Sequence, residues 1–210
     1  MKKLIKNGFV IDGSGEKRYK ADVLVNGDKI EKIGAIDNIE GAEVIDATGK
    51  IVAPGFIDTH SHSDLKVLIE PFIEPKLRQG ITTEILGQDG ISMAPLPKEF
   101  VSSWRKNLAG LDGDSDLLSW DWETTDKYLD LIAKTGSGPN ELYLVPHGNI
   151  RMEAMGLEAR VATDEELAKM RDITRREMEA GAAGLSTGLI YIPCAYSDTR
   201  ELVEICKVAA

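Results

Sequence analysis

The sequence predicts an α/β fold: a small run of β structure, then strands and helices alternating as in the opening part of a (β/α)8 barrel. Three observations carry this. Residues 1–54 hold only short apolar runs separated by turn residues. After Ala53-Pro54-Gly55, β-branched runs alternate with segments of helical spacing, the pattern of a parallel sheet with crossover helices. About four βα units fit between Phe56 and Ala210, and a closed barrel takes about 250 residues, so the 210-residue chain offers roughly half of one.

In chain order, Leu4–Ile11 is an apolar strand ended by Asp12-Gly13, and Ala21–Val25 is a second. Asn26-Gly27 then marks a hairpin, because both residues accept positive φ. Lys29–Ile36 places Ile30, Ile33 and Ile36 among charges, and Val44-Ile45 and Ile51-Val52 add two short pieces. Together these predict a small antiparallel unit over residues 1–54, with residues 55–210 forming the barrel portion. Phe56–Thr59 is the first barrel strand. Pro71–Gln79 reads as a helix, Ile81–Leu86 as the second strand, and Pro95–Leu108 and Thr125–Lys134 as helices. Glu141–Val145 is the third strand, ended by His147. Thr163 and Glu166 form a capping box opening a helix to about Ala180, with Leu167, Met170, Thr174 and Met178 inward. Gly184–Thr187 is the fourth strand, and Ser197 or Asp198 caps a last helix.

Composition narrows the function. The formal net charge is −10, which disfavours nucleic acid and anionic membrane surfaces as partners. No apolar run approaches the roughly 20 residues of a membrane span, and the basic start lacks the apolar core of a secretion signal. The two cysteines, Cys194 and Cys206, imply no disulfide framework. A cytoplasmic location is the expectation.

Asp58-Thr-His60-Ser-His62 is the sharpest motif. Residues i and i+2 of a strand point the same way, so His60 and His62 aim two imidazoles at one point, with Asp58 one step deeper. At the C-terminal end of a barrel strand such a pair suits a divalent metal. The bland alternative is two solvated histidines at a strand end.

The run Gly55-Phe-Ile-Asp-Thr-His-Ser-His-Ser-Asp64 resembles the opening motif of the amidohydrolase superfamily. Gly80–Ser92, Pro146-His-Gly-Asn-Ile-Arg151 and Gly184-Leu-Ser-Thr-Gly-Leu-Ile-Tyr191 narrow the resemblance to its N-acyl-D-amino-acid deacylase (D-aminoacylase) branch. The resemblance implies a small β-sandwich beside a metal-dependent barrel hydrolase that deacylates N-acyl-D-amino acids. It implies a divalent metal cofactor, zinc first, held by His60, His62 and Asp89 together with histidines on later strands. Asp89 stands where that branch carries a metal-bridging cysteine; a carboxylate also bridges zinc, while a turn-capping Asp is the plain alternative. The proton-shuttling aspartate of the family falls beyond Ala210. The resemblance therefore implies an N-terminal portion that is inactive alone, and the open sheet of four βα units, with two edges and an uncovered inner face, leads to the expectation of association through the half-barrel or as a homo-oligomer.

Three further residues are candidates for substrate binding. By resemblance Tyr191 contacts the substrate near its carboxylate; a tyrosine packed under a loop is the alternative. Ser186 follows the fourth strand without the Gly-x-Ser-x-Gly elbow of a serine hydrolase. His147 either lines the pocket or is a hydrogen-bonded structural histidine. Cys194 reads as a small buried residue. Rival functions are a cyclic-amide hydrolase of the dihydroorotase or hydantoinase type, and a non-catalytic half-barrel subunit.

Overall fold

In a computed structural model, which describes all 210 residues, β1 (Lys2–Val10) organises the first of two units, Met1–Gly55 and Phe56–Ala210. β2 (Tyr19–Asn26) pairs antiparallel with β1, and β3 (Lys29–Gly34) antiparallel with β2. The sheet is nonetheless mixed rather than antiparallel throughout. β4 (Glu43–Asp46) and β5 (Ile51–Val52) both run parallel to β1, because residues 35–42 carry the chain back to its far edge. The hairpin turn is Gly27-Asp28, one residue later than the dipeptide suggested. Asn26 pairs with both Lys2 and Lys29 and is held in the ladder, while Gly27 alone takes φ of 63°. Leu4, Leu24 and Ile36 form the small core, whereas Ile30 and Ile33 stay exposed.

The second unit is built on four parallel strands in sequential order: β6 (Phe56–Asp58), β7 (Ile81–Leu86), β8 (Asn140–Pro146) and β9 (Gly184–Ser186). The intervening helices are α1 (Lys66–Ile69), α2 (Glu74–Leu77), α3 (Val101–Leu108), α4 (Thr125–Thr135), α5 (His147–Met155) and α6 (Asp164–Glu179); α7 (Thr199–Ala209) follows β9. The four strands form a curled parallel sheet, an α/β half-barrel.

Proline explains two departures from the expected helices. The helix expected over Pro71–Gln79 shrinks to α2, which is entered through Ile73 in a left-handed conformation and has Pro75 in its first turn. That expected over Pro95–Leu108 begins only at Val101, after a short 3-10 turn over Lys98–Phe100. Pro95 and Pro97 cannot donate and turn their predecessors away from helix. The remaining helices follow their signals. Thr163 Oγ1 accepts from Glu166 N at 3.2 Å and the Glu166 carboxylate accepts from Thr163 N at 2.8 Å, so the capping box is closed. Asp198, not Ser197, caps α7, accepting from Glu201 N at 2.8 Å.

The strand register lines up three carboxylates behind the candidate site. Asp58 pairs with Glu84 across β6–β7, and Glu84 with Glu141 across β7–β8. Side chains alternate along a strand, so all three leave the same face as the buried Leu86, Tyr143 and Val145. Lys76 of α2 meets them, donating to Asp58 Oδ2 at 2.6 Å and Ser61 Oγ at 2.9 Å and pairing with the fully buried Glu84. Burial and the neighbouring Glu84 charge lift the Glu141 carboxyl to about 7, against the pull of the Ser137 hydroxyl at 2.6 Å. The folded protein thus keeps a proton that an unfolded glutamate, titrating near its ordinary value, gives up. Stability from this group is full below the unfolded pKa and is lost as pH rises toward 7. In thermal melts Glu141→Gln is therefore expected to gain on the wild type between pH 5 and pH 8, by about 1–2 kcal/mol or roughly 2–6 °C. A constant difference across that range would refute the assignment.

Candidate metal centre

Strand β6 stops at Asp58, so His60 and His62 lie on the segment just past its C-terminal end rather than within it. They converge all the same. Their rings meet edge-on, 5.2 Å between centroids. His60 Nε2 lies 3.6 Å from Asp89 Oδ1, and His62 Nε2 lies 3.2 Å from Asp89 Oδ2. Asp58 does not join them. Its carboxylate binds Lys76, which holds it below the usual range, and accepts the backbone N–H of His60 at 3.2 Å. Its role is to hold the backbone that presents His60.

Asp89 is carried by a tight turn after β7. Its own φ is 59°, between Gly87 at 76° and Gly90 at 72°. A short polar side chain is among the few that tolerate this backbone. Gly87 N donates to the wholly buried Asp64 Oδ1 at 2.7 Å, and Gly90 N donates to Ser186 Oγ at 3.1 Å. Ser186 Oγ in turn donates to Gly87 O at 2.5 Å, while Gln88 Nε2 donates to Thr59 O and Ile85 O. The turn is also wedged by backbone. A Cβ on Gly87 would collide with the Leu144 carbonyl oxygen, and one on Gly188 with the Asp89 carbonyl oxygen.

Two carboxylates that sequence reasoning did not single out lie on the other side of His62. Asp64 is fully buried, and its Oδ1 also takes the Ser92 hydroxyl. Asp112, from the loop after α3, puts Oδ1 3.3 Å from His62 Nδ1 with its side chain fully buried. Burial first, then the charges of Asp64 and Asp89, push the Asp112 carboxyl up to about 8. His62 Nδ1, Asp64 Oδ2 and both Asp112 oxygens are buried with no hydrogen-bond partner. Asp64 stood inside the motif run and only its neighbours drew attention. Nothing in the sequence separates Asp112 from Asp114 and Asp116 of the same acidic loop.

The remaining candidates occupy three different settings. Tyr191 is half-buried near Asp89, whose charge raises its hydroxyl above the ordinary tyrosine value. Ser186 is buried and bonded to both ends of the Gly87–Gly90 turn. His147 opens α5 and is fully buried; Nδ1 meets Thr187 Oγ1 at 2.9 Å and Nε2 meets Glu201 Oε1 at 2.7 Å. Burial opposes charge on this ring, but Cys194 and Glu201 outweigh it and lift the imidazole to about 9. With Arg151 also paired to Glu201, His147 ties α5 to α7. Cys194 is buried, its sulfur 3.5 Å from Gly90 O.

The donors fit a divalent cation. Two imidazoles and a carboxylate offer ligand atoms within 4.8 Å of one another, and His62, Asp64 and Asp112 form a second such group. Imidazole nitrogen and carboxylate oxygen are the donor types of zinc and its neighbours. Neither Asp64, Asp89 nor Asp112 is paired with a lysine or arginine.

Residues 43–205 match the model of the Amidohydrolase family. The chain is 38% identical over 204 residues to D-aminoacylase of Alcaligenes xylosoxydans xylosoxydans, covering 97% of this chain and 41% of that protein. It is 39% identical over 207 residues to N-acyl-D-glutamate deacylase of the same organism, covering 99% and 41%. Among solved structures, N-acyl-D-glutamate deacylase of Bordetella bronchiseptica, complexed with zinc and a phosphonate mimic of the tetrahedral intermediate, superposes with a TM-score of 0.88 at 37% identity. That match covers 98% of this chain and 42% of the other. The chain thus spans about two-fifths of the length of the curated relatives it matches.

The wedged turn yields a direct test. Gly87→Ala adds a methyl against the Leu144 carbonyl at a positive φ, so it is expected to cost at least about 2–3 kcal/mol in denaturant unfolding. Gly110→Ala, where an added Cβ meets nothing, serves as the neutral control. Equal stability of the two variants would show that the turn is not wedged.

Proposed function

The chain belongs to the amidohydrolase family, and from that premise we propose that it forms the first part of a metal-dependent hydrolase of N-acyl-D-amino acids. One observation carries the reading. The Nε2 atoms of His60 and His62 face a single carboxylate, Asp89, from the C-terminal ends of two neighbouring parallel strands. That is the end of a βα barrel where active sites form. The relatives at 36–39% identity act on N-acylated D-amino acids by name, which supports the substrate class.

On this reading His60 and His62 are metal ligands through Nε2, and Asp89 supplies a third donor with the negative charge that keeps the site compensated. Zinc is the first candidate, as in the Bordetella bronchiseptica relative. A bound divalent ion there supplies Lewis acidity for the scissile carbonyl and lowers the pKa of water. Tyr191, beside Asp89, donates its hydroxyl to the substrate's carboxylate; Ser186 and His147 act behind the site, holding the Asp89 turn and the Thr187 loop. The proton-shuttling aspartate of the family is read as lying outside these residues, so this chain by itself is not expected to turn over substrate. The four parallel strands are read as half of a (β/α)8 barrel. The first unit, residues 1–54, is read as part of a β-sandwich, its exposed Ile30, Ile33 and Ile45 lying on one face of the sheet and fitting a face meant to be covered. No helix is long and apolar enough to cross a membrane.

Elemental analysis and zinc titration test the centre. His60→Ala combined with His62→Ala is expected to remove the bound metal. Asp89→Asn keeps the turn geometry and size but loses the charge, so it is expected to weaken zinc binding by at least about the 10–100-fold that a ligand-supporting group is worth. Asp89→Cys is expected to retain zinc in preference to manganese. Wild-type metal content in the double histidine variant would end the reading.

A further inference from the structure

On the far side of His62 from Asp89 stands a buried carboxylate with no other partner, and the fold spends several interactions to put it there. We infer that Asp112 is the positioning residue of His62: its carboxylate accepts the Nδ1–H, which fixes the ring orientation and leaves the Nε2 lone pair facing Asp89 and His60. The inference rests on the proposed metal role of His62 and extends it to a residue outside the motif.

The geometry is specific. Asp112 Oδ1 lies 3.3 Å from His62 Nδ1; both atoms are buried and neither makes a hydrogen bond, to the other or elsewhere, so a small turn of the imidazole is what brings the N–H onto the carboxylate. Leaving both buried and unpaired would cost the full desolvation of each, whereas pairing them satisfies both. An imidazole has one donor and one acceptor nitrogen when neutral. A proton on Nδ1 therefore means a bare Nε2, the nitrogen that lies 3.2 Å from Asp89. The neighbouring Asp64 cannot take this role with its Oδ1, which is spent on Gly87 N and Ser92.

The loop that carries Asp112 is itself locked. Asp112 N and Leu111 N both donate to Leu108 O at 2.9 Å, folding the chain back at the end of α3. Arg105 of α3 reaches forward to Asp114 and Asp116, at 2.6 Å each, and lies over the Trp120 ring at 5.1 Å. Trp120 Nε1 closes the loop on Ser115 O at 2.8 Å. Three acidic residues of one loop thus divide the work: two clamp it from outside through Arg105, and the third is delivered to the histidine. Metal-ligating histidines commonly donate their second ring N–H to such a carboxylate, and loss of that partner costs about 10–100-fold in affinity.

The test uses the native gene product, with zinc as the probe. Zinc affinity by chelator competition is expected to fall about 10–100-fold in Asp112→Ala, with Asp112→Asn, which keeps an acceptor oxygen, in between. In the zinc-loaded wild type the His62 Nδ1–H is expected as a solvent-protected, downfield proton resonance that Asp112→Ala abolishes. Asp116→Asn, which alters the same loop at its exposed clamp, is expected to behave as wild type in both measurements. Wild-type affinity with a retained resonance in Asp112→Ala would overturn the inference. So would equal losses in Asp116→Asn, which would assign the effect to loop order. A loss of one ion from the stoichiometry with the remaining affinity unchanged would overturn it in favour of a second cation between His62, Asp64 and Asp112. A wild type that binds no zinc would instead refute the metal reading itself, and this inference with it.

Discussion

The buried carboxylate of Asp64 is the constraint on which the rest of the site depends. It sits at the end of the histidine motif, yet its oxygen reaches the first residue of the turn after β7, Gly87 N, and the Ser92 hydroxyl beyond that turn. Its backbone carbonyl receives the Tyr128 hydroxyl of α4 at 2.7 Å. One residue therefore fastens the segment after β6 to the turn after β7 and to the helix covering both. A buried carboxyl oxygen held by two donors is costly to leave unpaired. The spacing between the histidines and Asp89 is set by that network and not by the histidines themselves.

Much of this was legible in the sequence. The i, i+2 histidine spacing signalled convergence, although the chain bends at Thr59 and His60 once β6 has ended at Asp58. The capping box at Thr163 and the β-branched run Ile81–Leu86 named their elements directly. Helix α5 was illegible for a physical reason. Seven of its nine residues are buried, His147, Asn149 and Arg151 among them, so it has no polar face and no amphipathic stripe to read. Asp112 was equally hidden, since a pairing across fifty residues leaves no local trace, and a sequence window sees only one more acid in a polar loop. The parallel strands of the first sheet were missed because turn residues announce hairpins, whereas the longer return through residues 35–42 carries no comparable signal.

Electrostatically the site is unbalanced by design of the fold. Asp64, Asp89 and Asp112 surround His62, and the nearest lysine network, at Lys76, is spent on Asp58 and Glu84. The upward shift of Asp112 reports that imbalance, caused first by burial and then by the charges of Asp64 and Asp89. The row of Asp58, Glu84 and Glu141 repeats the theme one layer behind, with Lys76 in place of a metal.

The long passage between β7 and β8 carries a consequence for how the molecule assembles. Neighbouring parallel strands must wait for their crossover, and here the crossover from Gly87 to Pro139 holds Ser92, Asp112 and Tyr128, the groups that grip Asp64 and flank His62. The histidine motif and Asp89 are close in the chain, whereas Asp112 and Tyr128, which lock them, lie farther along that excursion. Contacts of high sequence separation are slow to form because loop entropy is lost before they are gained. The contacts that hold the metal-binding side chains thus close longer loops than the contact that brings those side chains together, and each costs more chain entropy to make.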